Sequence, residues 1–267
     1  MESIRCPLCN SSDHLRFMLL NDRFDETNKQ KFKIVKCDCN FIFLNPRPSE
    51  NEINKYYMKN YIPHSSKNSY LYELAQKISY YFKHRFLSKN YVIKNILDYG
   101  AGNGNFGKYF KNKGYNVTNY DPVTNVSGSL NDKYDMVTMW HSLEHIHNLD
   151  NCLKLIYSKM KPNGKLLIAV PNIDASEIKF FKSRWIAFDA PRHLYHFNES
   201  SIQRLLNKYD FRISKTKIII QDTIFNIFMS LKGFYKFLFP FFLIFSFIEI
   251  LFDNSKASSK LYICVKK

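Results

Sequence analysis

Three sets of side chains in this 267-residue chain have types and spacings suited to chemistry. The first is Asp98-Tyr99-Gly100-Ala101-Gly102-Asn103-Gly104, with Asp121 downstream. A glycine turn lets the backbone approach a ligand closely, because no Cβ is present to collide. Asp121, at the end of the next apolar run, can accept both hydroxyls of a ribose. Together these groups suit a cofactor that contains a nucleoside. The second set is five of the eight histidines. They form two clusters, His141-Ser142-Leu143-Glu144-His145 with His147, and Pro191-Arg192-His193-Leu194-Tyr195-His196. Imidazole titrates near neutrality and is the first choice for a general base. His141, His145 and His193 are therefore candidates for removing a proton or orienting a substrate, with a helix-start role as the alternative for His145. Arg192 is a candidate anion contact. The third set is Cys6-Pro7-Leu8-Cys9 and Cys37-Asp38-Cys39. Four thiolates from two tight turns can supply the tetrahedral sulfur shell that structural zinc prefers. His14 is the substitute ligand, and a redox pair or plain reduced thiols are the other readings.

The elements that must position these groups alternate between strand and helix. Residues 96–99, 115–120, 134–140 and 166–172 are short apolar runs that read as buried strands. Between them, Leu149, Cys152, Leu153, Ile156 and Met160 recur three and four apart, as on one helix face. Lys161-Pro162-Asn163-Gly164-Lys165 reads as a turn. Asn198 is a plausible N-cap for a helix over 199–207. Residues 212–220 and 261–265 read as two further strands. This order predicts an α/β fold with a doubly wound sheet, and both histidine clusters fall at its ligand-binding carboxyl edge. Between Asp121 and Asp135 only residues 126–130 remain for a shortened strand and loop. Gly102, Gly104 and Gly107 also satisfy a dinucleotide spacing, but they begin three residues past the strand, which leaves a nicotinamide cofactor as a rival.

The pattern Asp98-x-Gly100-x-Gly102-x-Gly104 resembles the first motif of class I methyltransferases that use S-adenosylmethionine (SAM). The "Leu-Glu-His" of Leu143 to His145 and the "Lys-Pro-Asn-Gly-Lys-Leu" of Lys161 to Leu166 look like later motifs of that family, in the right order. The resemblance covers residues 93–267. It implies a Rossmann-like sheet of seven strands, the last antiparallel, with SAM held by Asp98, Gly100, Gly102, Gly104, Asp121 and Trp140. Asn45-Pro46-Arg47-Pro48 looks like the exit from the N-terminal zinc-binding segment of a bacterial group that acts in surface-sugar or quinone pathways. The "Pro-Arg-His-Leu-Tyr-His-Phe" loop resembles an acceptor-facing loop of the same group. In quinone O-methyltransferases the segment like 141–145 reads Glu-x-x-Glu-His and holds a divalent cation. Here His141 replaces the first Glu; metal-assisted deprotonation is one reading that the resemblance implies, and a base or substrate-orienting role for His141 or His145 is the preferred one. The implied activity is methyl transfer to a small molecule, a sugar hydroxyl in surface-polysaccharide assembly before a quinone or phenol. A non-catalytic cofactor- or RNA-binding module is the rival from another class.

Three segments follow: a zinc-ribbon-like module over 1–48, a helical connector over 49–92, and the methyltransferase domain over 93–267. In the connector, Leu71, Leu74, Ala75, Ile78, Phe82 and Phe86 predict one buried stripe. Tyr56, Tyr57, Tyr61, Tyr70 and Tyr72 either face the ligands or pack the two modules together. An apolar insertion over 224–252 nearly meets the length of a membrane span. A strand must follow it back into the sheet, which argues against a crossing; Gly233 and Pro240 divide it into two helices that pack on the domain, form a dimer interface, or make peripheral membrane contact or meet a lipid-linked acceptor. Lys and Arg number 39 against 23 Asp and Glu, a net charge of +16. The positive charges are scattered and no nucleic-acid motif accompanies them, so an anionic substrate or an acidic membrane is expected before nucleic acid. No secretion signal opens the chain, which predicts a cytoplasmic location.

Overall fold

A computed structural model describes residues 1–25, 27–57, 70–122, 126–127, 130 and 133–267, excepting the side chains of 70–72, 126 and 127. The expectations for Tyr61, Tyr70, Leu71 and Tyr72 lie outside it.

The larger sheet is built on strands that are buried on both faces, as parallel sheets require. They are β4 (Asn95–Tyr99), β5 (Asn116–Asp121), β7 (Tyr134–Trp140) and β8 (Met160–Pro171). For consistent numbering, β1 (His14–Asn21), β2 (Lys31–Cys37), β3 (Ile42–Leu44), β6 (Val126–Ser127), β9 (Tyr195–His196), β10 (Phe211–Ile218) and β11 (Ser259–Lys266) complete the strands. The sheet order is β10-β11-β8-β7-β4-β5-β6. β4 pairs in parallel with β5 and β7, and β7 with β8, whereas β11 runs antiparallel to both β8 and β10. The class and the antiparallel last strand are as expected. The seventh strand is only the two-residue β6, and it is antiparallel to β5. The short stretch between Asp121 and Asp135 is the reason, because a parallel return needs a crossover of a dozen or more residues.

Successive side chains alternate between the two faces. Leu97, Val137, Leu166 and Ile168 join one core, with Leu149, Leu153 and Ile156 of α3 (Leu149–Lys159). Ile96, Met136, Leu167 and Ala169 join the other, with Phe106 and Phe110 of α2 (Asn105–Lys111) and Leu87 of α1 (Tyr70–Asn90). The expected turn at 161–165 survives as a bulge inside β8: Tyr134 pairs with Met160, Met136 with Lys165.

α1 departs from its predicted stripe. Leu74, Ile78 and Phe82 are exposed. Gln76, Ser79, Tyr80 and Lys83 face inward and line a cavity instead. The helix is turned because its polar face forms a wall of that cavity.

The N-terminal residues form a second sheet in the order β1-β2-β3-β9. Its fourth strand, β9, comes from the loop of the second histidine cluster and pairs Ile42 with His196 and Phe43 with Tyr195. Phe41, Phe43, Tyr195 and Phe197 stack across this seam. The loop runs into α5 (Glu199–Lys208), where Asn198 accepts from Ser201 N and Ser201 Oγ accepts from Asn198 N, a reciprocal cap. After β10 come α6 (Ile220–Ser230), a 3₁₀ turn (Gly233–Leu238) and, past a four-residue helix α4 (Ile178–Phe181) upstream, the last helix α7 (Phe239–Phe252). The predicted division is met: the chain is extended at Leu231 and Lys232, and Pro240 sits in the first turn of α7.

Candidate active site

β4 ends at Tyr99, and the chain turns with φ of 81° at Gly100, 51° at Gly102 and 71° at Gly104. At Gly100 no other residue fits, because a Cβ would lie 2.2 Å from Ser142 Cβ. That close approach joins the ends of β4 and β7, and Ser142 Oγ donates to Tyr99 O at 2.9 Å. Gly100 N donates to Tyr120 O at 2.8 Å, and Gly102 N to Asp121 Oδ2 at 2.8 Å. The turn and the β5 carboxylate are thus fixed to one another before any ligand arrives. Asp98 is buried and accepts from Thr138 Oγ1 at 2.8 Å. Burial pushes its carboxyl up to about 7, against the pull of Thr138 and Lys83. Lys83 Nζ lies 3.9 Å from the centre of the Trp140 ring, and burial lowers it to about 8 against the attraction of Asp222 and Asp98. Trp140 Nε1 is buried without a hydrogen-bond partner.

The other end is built from the segment after β7 and the loop before β9. Leu194 N donates to Glu144 O at 2.8 Å, and Leu44 N to Leu194 O at 2.9 Å, so both histidine segments are tied to the N-terminal sheet. His141 takes a positive φ of 51°. Its Nε2 lies 2.8 Å from Asp222 Oδ2 on α6, and its Nδ1 3.6 Å from Glu144 Oε1. Burial opposes its charge, but the two carboxylates prevail and raise it to about 10. His145 behaves oppositely. Burial, then the neighbouring His193, lowers it to about 4. Its Nδ1 lies 2.9 Å from Arg192 O, an atom that only accepts, so Nδ1 carries the proton. The same reasoning fixes His193, whose Nδ1 lies 2.8 Å from Ala187 O. The two rings meet edge to face at 4.6 Å. Glu144 is fully buried, and among the described residues neither carboxylate oxygen has a hydrogen-bond partner. Burial raises its pKa, but His141 and the other imidazoles bring it below the ordinary carboxylate range.

One cavity of about 810 Å³ contains both ends, within the range of small-molecule sites. Asp98, Gly100, Gly102, Asp121, Trp140, His141, His145 and His193 all line it. Gly104 does not: it precedes α2 in the left-handed conformation, and a Cβ there would sit 2.7 Å from Asn119 Nδ2. Arg192 is not an anion contact. It is fully buried, donates to Asp22 at 2.7 and 3.1 Å and to Asp189 at 2.8 Å, and so pins the loop to the N-terminal module. Tyr57 lines the cavity with its OH 3.1 Å from His145 Nδ1, while Tyr56 packs edge-on against Phe32. Tyr57 reaches the cavity, one of the two places expected for it, whereas Glu144, Lys83 and Asp222 were not singled out as site residues from the sequence. Only Glu144 stood in a motif; the other two arrive from α1 and α6, whose approach no local pattern announces.

The four N-terminal cysteines converge at a distance. Cys6 Sγ lies 3.6 Å from Cys39 Sγ, and Cys9 Sγ 3.5 Å from Cys37 Sγ. Sulfurs on a tetrahedral zinc lie about 3.8 Å apart, so the donor set fits that ion. His14 is engaged elsewhere, its Nε2 2.8 Å from Asn45 Nδ2.

A family profile described as "Methyltransferase domain" matches residues 68–216, more than half of the chain. The chain belongs to the SAM-dependent methyltransferases. Solved structures similar to this methyltransferase include a SAM-dependent methyltransferase from Archaeoglobus fulgidus (16% identity, 74% of this chain and 100% of that one, TM-score 0.47). Another is the 1,6-didemethyltoxoflavin-N1-methyltransferase of Burkholderia thailandensis (15% identity, 91% and 98%, TM-score 0.48). A third is phosphoethanolamine N-methyltransferase 2 of Haemonchus contortus (14% identity, 72% and 52%, TM-score 0.44). No curated protein matches the methyltransferase significantly in sequence.

Proposed function

We propose that the methyltransferase moves a methyl group from SAM to an oxygen of a small acceptor, a sugar hydroxyl in surface-polysaccharide assembly. The observation that carries this reading is the shared cavity, in which the glycine turn and Asp121 stand at one end and the imidazoles of His145 and His193 at the other. The cavity residues fit SAM. Asp121 serves the ribose hydroxyls, Asp98 the amino-acid ammonium, and the partnerless Trp140 Nε1 offers a donor. When bound, SAM supplies an electrophilic methyl on a sulfonium.

The chain's own groups do the rest. Holding acceptor and donor in one closed space replaces an encounter in solution with an oriented approach. His145 and His193 keep Nδ1–H on backbone carbonyls, which leaves each Nε2 lone pair for the acceptor side. There one of these Nε2 atoms would take the proton of the acceptor hydroxyl, whose oxygen would receive the methyl that SAM supplies, with the demethylated sulfur compound as leaving group. His141, charged between Asp222 and Glu144, has no lone pair to take a proton at neutral pH and orients the acceptor instead. Cys6, Cys9, Cys37 and Cys39 hold a structural zinc. The basic chain and the apolar 224–252 segment support a location at the inner face of a membrane, within reach of a carrier-linked sugar. Turnover of sugar acceptors, read by mass as a gained methyl, tests the reading. His145→Gln and His193→Asn should each cut kcat about 100-fold or more while SAM affinity holds. Undiminished turnover in both variants would remove the acceptor-end assignment.

A further inference from the structure

Glu144 leaves a polar group unanswered at the acceptor end. Its side chain is fully buried at the cavity wall, and neither carboxylate oxygen has a hydrogen-bond partner among the described residues. Burying such a group alone is costly, and native sites normally supply a partner. His141 Nδ1 stands 3.6 Å away, but that ring commits Nε2 to Asp222 at 2.8 Å. The partner has to come from the cavity. On that side the neighbouring groups also only accept. His145 and His193 keep Nδ1–H on main-chain carbonyls, so each Nε2 carries a lone pair and no proton. One atom each from Glu144, His145 and His193 lie within 4.8 Å of one another. A group that meets them must donate more than once. A hydroxyl has a single proton to give, and a carboxylate has none. An ammonium has three. Its bonds to charged acceptors are about 2.8 Å long, which sets those acceptors roughly 4.6 Å apart, within the spacing found here.

The charge of the cavity agrees. Glu50, Asp98, Asp121, Glu144 and Asp222 line it against Lys83 and His141, while Asp189 is answered by Arg192. The wall is acidic although the chain as a whole carries +16. A wall of one sign favours ligands of the other. We infer that the acceptor is an amino sugar. Its ammonium is held by Glu144 and the Nε2 of one imidazole, and the hydroxyl beside it, which takes the methyl, faces the Nε2 of the other. The inference rests on the proposed sugar-hydroxyl reading and names its substrate class. An ammonium held in this way has no lone pair, so the methyl is directed to oxygen. A uronate or a sugar phosphate would bring negative charge against the same wall and find no donor there. His193 comes from a loop fixed by β9 in the N-terminal sheet and by the Arg192 pairs to Asp22 and Asp189. The ammonium site is therefore complete only when the cysteine-bearing module is docked.

The test is binding without turnover. The full chain, with and without the demethylated product of SAM, is titrated with methyl glycosides of 2-, 3- and 4-aminohexoses and followed by ligand-observed NMR. At least one should bind about tenfold or more tighter than both its N-acetylated and its hydroxyl counterparts, and a hexuronate should not bind. Glu144→Gln keeps the shape and removes the charge, and it should erase that preference while the demethylated product still binds. Should Glu144→Gln fail to fold, the unaltered chain decides: the preference must fall as the pH rises through the titration of the free amine. Equal binding of amine and N-acetyl forms, no binding of any aminohexoside, binding of the hexuronate, or a preference that survives Glu144→Gln or high pH overturns the inference. Turnover is measured apart from this titration. Sugar methylation with no preference for the amine strikes the ammonium site alone, whereas the preference without methylation of any hydroxyl strikes the proposed reaction and leaves the binding result standing.

Discussion

Asp98 shows how one buried group sets the behaviour of the donor end. Burial holds its carboxyl near 7 rather than about 4. The ionised form is the one that attracts an ammonium, and it is present above that value. SAM binding should therefore tighten as the pH rises from 6 to 8, and titration calorimetry should find this dependence gone in Asp98→Asn. A flat profile in the unaltered chain would contradict the assignment. Most of this end was legible in the sequence, because glycine spacing and an acidic strand end are local signals: Asp98, Gly100, Gly102, Asp121 and Trp140 all reach the cavity. Arg192 was misread because its partners are Asp22 and Asp189. The first lies 170 residues away, and no spacing reveals it. His141 was legible as a site residue but not as a charged one, since that depends on Asp222.

At the scale of elements, β9 links two parts that the sequence suggested were separate. It is a two-residue strand inside the His193 loop, yet it completes the sheet that carries the cysteines. Arg47 reinforces the link, donating to Tyr195 OH at 2.7 Å and to His147 O at 3.2 Å. Loss of zinc should then reach the active site. Stripping the metal with a chelator, or Cys6→Ser, should lower the melting temperature and release the His193 loop, seen as faster amide exchange at Leu194 to Phe197. If exchange there is unchanged while zinc is gone, the two sites are independent. The patterns predicted α3, α5 and β7 closely, because α3 and α5 each lay one face on a single core and β7 is an apolar run buried on both faces. The α1 stripe failed because Leu74, Ile78 and Phe82 share a helical face that the cavity wall does not use. The shortened strand expected within 126–130 is β6, and only its antiparallel direction was not foreseen, because a length limit and not a pattern produced it.

Over the whole molecule, a strongly basic chain carries one long exposed apolar segment. The chain carries +16, and the segment Gly233–Phe252 is long and apolar enough to cross a membrane by length and composition. Phe234, Phe241, Ile244, Leu251 and Phe252 are all at least 60% exposed, far more than a core helix allows. β11 follows directly and pairs with β8, so the segment lies against the folded domain. α6 joins the two regions: Phe225 and Met229 line the cavity, while Ile220 and Phe228 stay exposed beside α7. The protein should float with vesicles containing anionic lipid, and Phe234→Asp with Leu251→Asp should reduce the bound fraction about tenfold or more, since each buried aromatic or leucine is worth roughly 1.5–3 kcal/mol. An unchanged bound fraction would leave the apolar face to another partner.

Calorimetric titration with SAM, its demethylated product and a nicotinamide dinucleotide tests the donor turn most directly. One equivalent of SAM and of the product should bind and the dinucleotide should not. Gly100→Ala, whose Cβ would sit 2.2 Å from Ser142 Cβ, should weaken SAM by about 100-fold or more. Heat from the dinucleotide with none from SAM, or a Gly100→Ala chain that binds SAM as before, would contradict the account.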